Sequence, residues 1–283
     1  MSVPPLPTLI IEPLVRAALV EDLGRAGDIT TDAIVAGAAW ADTALVARAP
    51  GVVAGLDLAL LAFKLIDPTI VAAVWRPDGA RLSPGDVIGT VSGPTRGILT
   101  AERVALNFLC HLSGIATATA AIVEAVRGTR ARITCTRKTT PGLRAVQKYA
   151  VRVGGGTNHR FGLDDAVLIK DNHIAAAGGI KPAVERVRGS IGHLVKVEVE
   201  VDTLGQLEDA LAVGVDAVLL DNMQPEELRR AVAMVDGRVI TEASGGITPA
   251  TASAIAATGI DLISIGWLTH SVAALDIGLD YRA

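Results

Sequence analysis

Nine basic side chains lie between residues 130 and 170, and only Asp164 and Asp165 oppose them. They are Arg130, Arg132, Arg137, Lys138, Arg144, Lys148, Arg152, Arg160 and Lys170, with His159 among them. Burying a cation without a partner is costly, so the excess points to a ligand carrying several negative charges. Guanidinium forks match carboxylates and phosphates, and ammonium groups add point charge. Arg137, Lys138 and Lys170 each end a short β-rich run, whereas Arg144, Lys148 and Arg152 repeat at helical spacing and read as a solvated helix face. A second set is acidic: Glu198 and Glu200 share one face of a strand, and Asp221 ends the following run. Carboxylates placed this way can hold Mg²⁺ with its waters and substrate oxygens, or bond sugar hydroxyls. Pairing of Glu198 with a basic neighbour is the alternative. The third set, Glu242-Ala243-Ser244-Gly245-Gly246-Ile247-Thr248-Pro249, reads as strand, glycine turn and helix start. Backbone N–H groups at a helix N-terminus bind phosphate, and Ile265-Gly266-Trp267 at the next strand end is the natural partner.

The elements that position these groups follow a regular rhythm. Short β-rich runs are expected at 131–134, 166–169, 194–199, 217–220, 238–241 and 262–265, with helical stretches at 142–153, 180–188, 204–213, 225–235 and 249–258 between them. Six βα units imply a parallel sheet, either a barrel or a doubly wound fold. No GxGxxG follows the first strand, which disfavours a dinucleotide-binding sheet. Polar residues end every run, as they do where barrel strands converge on one mouth, so an open, incomplete barrel is expected. Up to about residue 110 the pattern is α+β, with helices at 12–23 and 56–66 and strands at 43–49 and 70–75. The uncharged stretch 104–123 contains Asn107, His111 and Ser113 and reads as a buried helix instead of a membrane span.

Composition removes other classes. Half of the 283 residues are hydrophobic and 20% are charged, which excludes intrinsic disorder. Aromatics make up 3%, and Trp40, Trp75 and Trp267 are scattered, so a base-stacking platform is excluded. A net charge of -4 exerts no global pull on nucleic acid or an anionic membrane. Cys110 and Cys135 are too few for a disulfide scaffold and are expected as reduced thiols, Cys135 buried at the end of the first barrel strand. His111 reads as a packed core histidine. The N-terminal stretch lacks a basic start and is interrupted by prolines, so a cytoplasmic location is expected.

Several motifs together resemble one enzyme family, the quinolinate phosphoribosyltransferases. They are GDITT at 27–31, RGILTAER at 96–103, TRKTTPGLR at 136–144, NHR at 158–160, LIKDNH at 168–173, EVEV at 198–201, LDN at 220–222, SGG at 244–246 and LTHS at 268–271. The resemblance runs in order over nearly the whole chain. It implies an α/β fold: an N-terminal α/β open-faced sandwich over 1–110, an open α/β barrel of about seven strands over 111–270, and a segment, 271–283, returning to the first domain. It implies transfer of a phosphoribosyl group from 5-phosphoribosyl 1-diphosphate to quinolinate, with loss of CO₂ and pyrophosphate, as a step of NAD biosynthesis. Arg103, Arg137, Lys138, His159, Arg160 and Lys170 would line a pocket for the two carboxylates of quinolinate. Glu200 and Asp221 would meet the ribose hydroxyls and Mg²⁺, and Ser244, Gly245, Gly246 and Gly266 would hold the 5-phosphate. Thr136, Ile265, Trp267 and His270 complete the substrate-binding set, and Lys138, Lys170, Glu200 and Asp221 are the expected catalytic residues. The family shares its site across a homodimer, Arg103 being supplied by the neighbouring subunit.

Three positions depart from the pattern. Ala243 stands where the family often has a second serine, Cys135 where it has an acidic or small residue, and Trp267 where it has a small one. The Trp267 ring would either narrow the phosphate site or point away from it. Two other readings are a paralogue of the molybdenum-transport-associated type acting on another acceptor, and a non-catalytic barrel that binds an anionic metabolite. The first would lose part of the dicarboxylate set, and the second would not need Glu200 and Asp221 beside a basic pocket.

Overall fold

A computed structural model describes residues 3–282. In chain order the first elements are α1 (Thr8–Leu23), α2 (Ile29–Ile34), β1 (Trp40–Ala47), β2 (Gly51–Val52), α3 (Leu56–Ile66), β3 (Val71–Val74), β4 (Arg81–Leu82), β5 (Val87–Pro94) and α4 (Thr95–Ala125). Then follow β6 (Arg132–Thr134), α5 (Arg144–Val153), β7 (Val167–Ile169), α6 (Asp171–Ala177), α7 (Ile180–Arg188), β8 (Val197–Val201) and α8 (Leu204–Val213). The last are β9 (Ala217–Asp221), α9 (Pro225–Val235), β10 (Ile240–Ser244), α10 (Pro249–Ala256), β11 (Leu262–Ser264) and β12 (Ile277–Tyr281). The chain divides into two compact units that interleave in sequence: 1–120 with 139–155 and 268–283, and 121–138 with 156–267.

The first unit is built on a four-stranded antiparallel sheet in the order β12-β1-β5-β3. Its core includes Leu45, Leu58, Phe63, Ile88, Leu109 and Ile115, each at most 1% exposed. The C-terminal strand β12 pairs with β1 from Thr43↔Tyr281 to Ala47↔Ile277. Helix α4 is 31 residues long and apolar enough to cross a membrane by length and composition. Half of its apolar window is nevertheless buried inside the protein, Leu106, Leu109, Leu112 and Ile115 among it, which marks a core helix. Helix α5 corrects one expectation. Arg152 is exposed, but Lys148 is fully buried, because the segment from Val146 to Val151 is covered all round. Helical spacing alone does not distinguish a solvated face from one that other parts of the unit cover. His111 is half-buried and bonded to Gln147 at 2.9 Å, and burial lowers its pKa.

The second unit holds six parallel strands in the order β6-β11-β10-β9-β8-β7. Strands adjacent in sequence pair with each other, and β11 pairs with β6, but β6 and β7 do not pair, so the cylinder stays open there. The segment at Thr157 partly fills the gap: Thr157 N–H donates to Ile133 O at 2.8 Å, and Cys135 N–H donates to Thr157 O at 3.3 Å. Six strands plus this one bridge take the place of the seven expected. Local chemistry sets the connecting helices. Thr203 caps α8 with Gln206 reciprocating, and Pro225 and Pro249 open α9 and α10 at positions whose N–H groups would be unpaired anyway. Strand β8 shows how the barrel sorts side chains: Val197, Val199 and Val201 are buried outward under the helices, while Glu198 and Glu200 point into the interior.

Candidate active site

Inward positions at the C-terminal ends of the strands surround a cavity of about 420 Å³. Its walls carry Thr136, Arg137 and Lys138 after β6, Lys170 after β7, Glu200 on β8, Asp221 ending β9, Ser244 ending β10 and Ser264 ending β11. His159 and Arg160 enter from the segment that bridges the open side. Ladder register sets this layer: Glu200 lies beside Leu219, and Asp221 beside Ser244. The basic, acidic and hydroxyl groups expected from sequence thus face one mouth.

The two arginines are poised for an anion. Arg160 Nη1 donates to Ala166 O at 3.1 Å, but the buried Nε atoms of both Arg137 and Arg160 lack a hydrogen-bond partner among the described residues. Burial first, and then the like charge of Arg137, push the Arg160 pKa down, while Asp165 and Glu198 pull it back up. Two neighbouring guanidiniums with orphaned donors are the complement of a planar carboxylate. Beside them the Lys170 ammonium is paired with the Glu200 carboxylate, and Asn222 Nδ2 donates to Asp221 Oδ2 at 2.6 Å. The Asn222 backbone is left-handed, with φ 55°, and its N–H donates to Ser244 O at 2.9 Å. At Gly245, φ is 97° and an added Cβ would collide with the Asn222 side chain, so only glycine permits this turn. The turn feeds α10, which opens with Thr248 N–H donating to Thr251 Oγ1 at 2.9 Å and with Pro249, which has no N–H to leave unpaired.

Below this layer Glu198 pairs with the basic neighbour His159, the alternative expected for it, and the two meet Glu242, which sequence reading did not assign. His159 Nε2 is 3.0 Å from Glu198 Oε2 and 3.6 Å from Glu242 Oε1. Glu242 is 1% exposed, and its Oε1 has no hydrogen-bond partner. The three side chains lie close enough to hold a metal ion, yet hydrogen bonding favours another arrangement. Arg160 N–H donates to His159 Nδ1 at 2.8 Å, so in the neutral ring Nε2 carries the proton and donates it to Glu198. One N–H then faces two carboxylates, and burial first, then the Glu198 charge, raises the Glu242 pKa to about 7. The only signal in the sequence is period two, which puts Glu242 on the same inward face as Ser244.

Other expected residues do not line this cavity. Arg103 is exposed on α4 in the first unit, and His270, also in that unit, is exposed and 2.5 Å from Ser271 Oγ. Trp267 is half-buried, and its Nε1–H donates to Ile247 O at 2.8 Å. Ile265, the residue after β11, is buried, and Gly266 is half-buried. Cys135 is buried and contacts Asn158 Oδ1 at 3.3 Å, and among the described residues no disulfide links it to Cys110.

An open parallel α/β barrel with a cationic mouth, a carboxylate pair and a glycine turn defines an enzyme that transfers a group between anionic substrates. Residues 28–113 match the family model for the quinolinate phosphoribosyl transferase N-terminal domain, and 115–280 match that for its C-terminal domain. The chain belongs to the quinolinate phosphoribosyl transferase family. It is 50% identical to the nicotinate-nucleotide pyrophosphorylase (carboxylating) of Mycobacterium leprae over 94% of this chain and 95% of that one. It is also 43% identical to a probable enzyme of the same name from Bacillus subtilis, over 96% and 93%. Among solved structures, NadC from Streptococcus pyogenes superposes with a TM-score of 0.94 at 44% identity, covering 99% of this chain and 100% of that one. The nicotinate-nucleotide pyrophosphorylase of Francisella tularensis gives 0.95 at 39%, covering 100% and 99%.

Proposed function

We propose that the protein transfers the phosphoribosyl group of 5-phosphoribosyl 1-diphosphate to quinolinate and decarboxylates the adduct, giving nicotinate mononucleotide, pyrophosphate and CO₂ for NAD biosynthesis. The observation that carries this reading is the pair Arg137 and Arg160, adjacent like charges with unpartnered Nε donors in a mouth that also holds Lys138 and Lys170. A dicarboxylate satisfies those donors and removes the repulsion. Ser244 and the Gly245-Gly246 turn take the 5-phosphate, and Glu200 and Asp221 take the ribose hydroxyls.

As the C1–O bond to pyrophosphate breaks, positive charge develops on the ribose, and the Glu200 and Asp221 carboxylates stabilise it. The pyridine nitrogen forms the new bond to C1. The alkylated ring then accepts the electron pair left when the 2-carboxylate departs as CO₂, and C2 takes up a proton. Lys138 and Lys170 supply charge that holds the substrate in place, without transferring a proton. Two half-buried carboxylates at neighbouring strand ends suit Mg²⁺, which binds through one or two carboxylates plus substrate phosphates and water. When bound there it neutralises the pyrophosphate leaving group.

The protein acts as a homodimer in this reading, with Arg103 supplied by the neighbouring subunit, since Arg103 is exposed on α4 and not among the residues lining the mouth. Cys110 and Cys135, too few for a disulfide scaffold, agree with a cytoplasmic, reducing location. The test is release of CO₂ and pyrophosphate from quinolinate with and without phosphoribosyl diphosphate and Mg²⁺. Coupled release that requires both additions is expected, and its absence overturns the assignment.

A further inference from the structure

Trp267 follows Gly266 just beyond β11, and its ring does not line the mouth cavity. The indole Nε1–H instead donates to the carbonyl of Ile247 at 2.8 Å. Ile247 is the buried residue between the Gly245-Gly246 turn and the start of α10. The other end of the turn is held by Asn222, whose N–H donates to Ser244 O at 2.9 Å. Between these two anchors lie glycines with φ of 97° and 57°, the residues with the most backbone freedom to lose when a ligand orders them. We propose that Trp267 is a positioning residue that latches the turn at 244–248, so that its N–H groups are aimed at a phosphate before the ligand arrives. A turn ordered in advance leaves less ordering cost to be met on binding, and this should show in affinity for the phosphate-bearing substrate. The inference rests on the reading of this turn as the 5-phosphate site.

Trp267→Phe keeps an aromatic ring and deletes the N–H. In the purified enzyme, affinity for ribose 5-phosphate by calorimetry and KM for phosphoribosyl diphosphate are expected to weaken about 3- to 10-fold, the scale of one lost hydrogen bond. KM for quinolinate and kcat should stay within about twofold, a split that general loosening of the barrel would not produce. A variant that binds ribose 5-phosphate as tightly as the wild type overturns the latch. If the wild type itself binds no ribose 5-phosphate, the phosphate-site reading fails and the latch with it. A second measurement does not depend on the variant folding. With Trp40 and Trp75 replaced by Phe, the one remaining indole N–H resonance should be protected from solvent exchange in the free protein, and rapid exchange there would overturn the proposal.

Discussion

Glu242→Gln is expected to change how stability depends on pH. Glu242 is almost fully buried, and its Oε1 has no hydrogen-bond partner. Burial first, then the charge of Glu198, push its carboxyl from 4.5 to about 7, against the pull of His159 and the Ser264 hydroxyl. Those are the groups facing it, from β8, the segment after Thr157 and β11, while β9 presents only Leu219. Below about pH 4.5 the carboxyl is protonated in both folded and unfolded chains, and its contribution is fully present. As pH rises toward 7 the unfolded chain releases the proton while the folded barrel keeps it, so stability falls by about 1.4 kcal/mol per unit. Over the whole window the loss is about 3 kcal/mol, after which both states are ionised and the slope vanishes. A neutral Gln has no such slope. With Trp40 and Trp75 replaced by Phe, Trp267 fluorescence reports on the barrel unit, and urea unfolding from about pH 4.5 to about pH 8 gives the comparison. The stability of the wild type minus that of Glu242→Gln should fall by about 3 kcal/mol across the series. Glu198→Gln, which removes the like charge, should narrow the window and give an intermediate total loss. Parallel pH curves for wild type and Glu242→Gln would refute the reasoning, because they would mean that Glu242 titrates as an exposed carboxylate.

Three further outcomes test the mouth. Arg160→Lys, which loses the planar fork, should raise KM for quinolinate at least about tenfold and leave KM for phosphoribosyl diphosphate nearly unchanged in steady-state assays. Gly245→Ala forces a Cβ into Asn222 and a side chain into left-handed backbone, so KM for phosphoribosyl diphosphate should rise more steeply than KM for quinolinate. Lys170→Met removes the cation paired with Glu200 and should lower kcat/KM roughly 100-fold or more, and a variant near wild-type turnover would sink the charge role.

Every barrel strand was legible in the sequence, because an aliphatic run ending in polar residues marks a strand whether or not its partners are known. Boundaries slipped where the inward face is charged. The run read at 194–199 is the strand Val197–Val201, since glutamates at 198 and 200 look like a strand end until the barrel interior is known to accept them. The run read at 238–241 is Ile240–Ser244 for the same reason, with Glu242 inside it. Helix α6 was missed because seven residues of Asp-Asn-His-Ile-Ala-Ala-Ala carry no apolar periodicity, and its start rests on a local bond from Lys170 N–H to His173 Nδ1. Lys148 and Trp267 were legible as residues but not as environments. Whether a lysine on a regular helix is covered, or which way an indole turns, depends on tertiary neighbours that no spacing encodes.

The two charged layers of the barrel explain how an acidic protein keeps a basic pocket. In the lower layer His159 bonds Glu198 and lies 3.6 Å from Glu242, and the Glu198 charge acts on Arg160 from beneath. That attraction partly offsets the repulsion between Arg160 and Arg137, which would otherwise drive the guanidiniums apart in a half-buried setting. If both glutamates were ionised, the lower layer would neutralise the arginines so fully that a dicarboxylate would gain little by entering. If both were neutral, the guanidiniums would lose the charge that holds them side by side. Burial of Glu242 and the charge of Glu198 raise the Glu242 pKa, so the negative charge beneath Arg160 falls as that carboxyl takes up a proton.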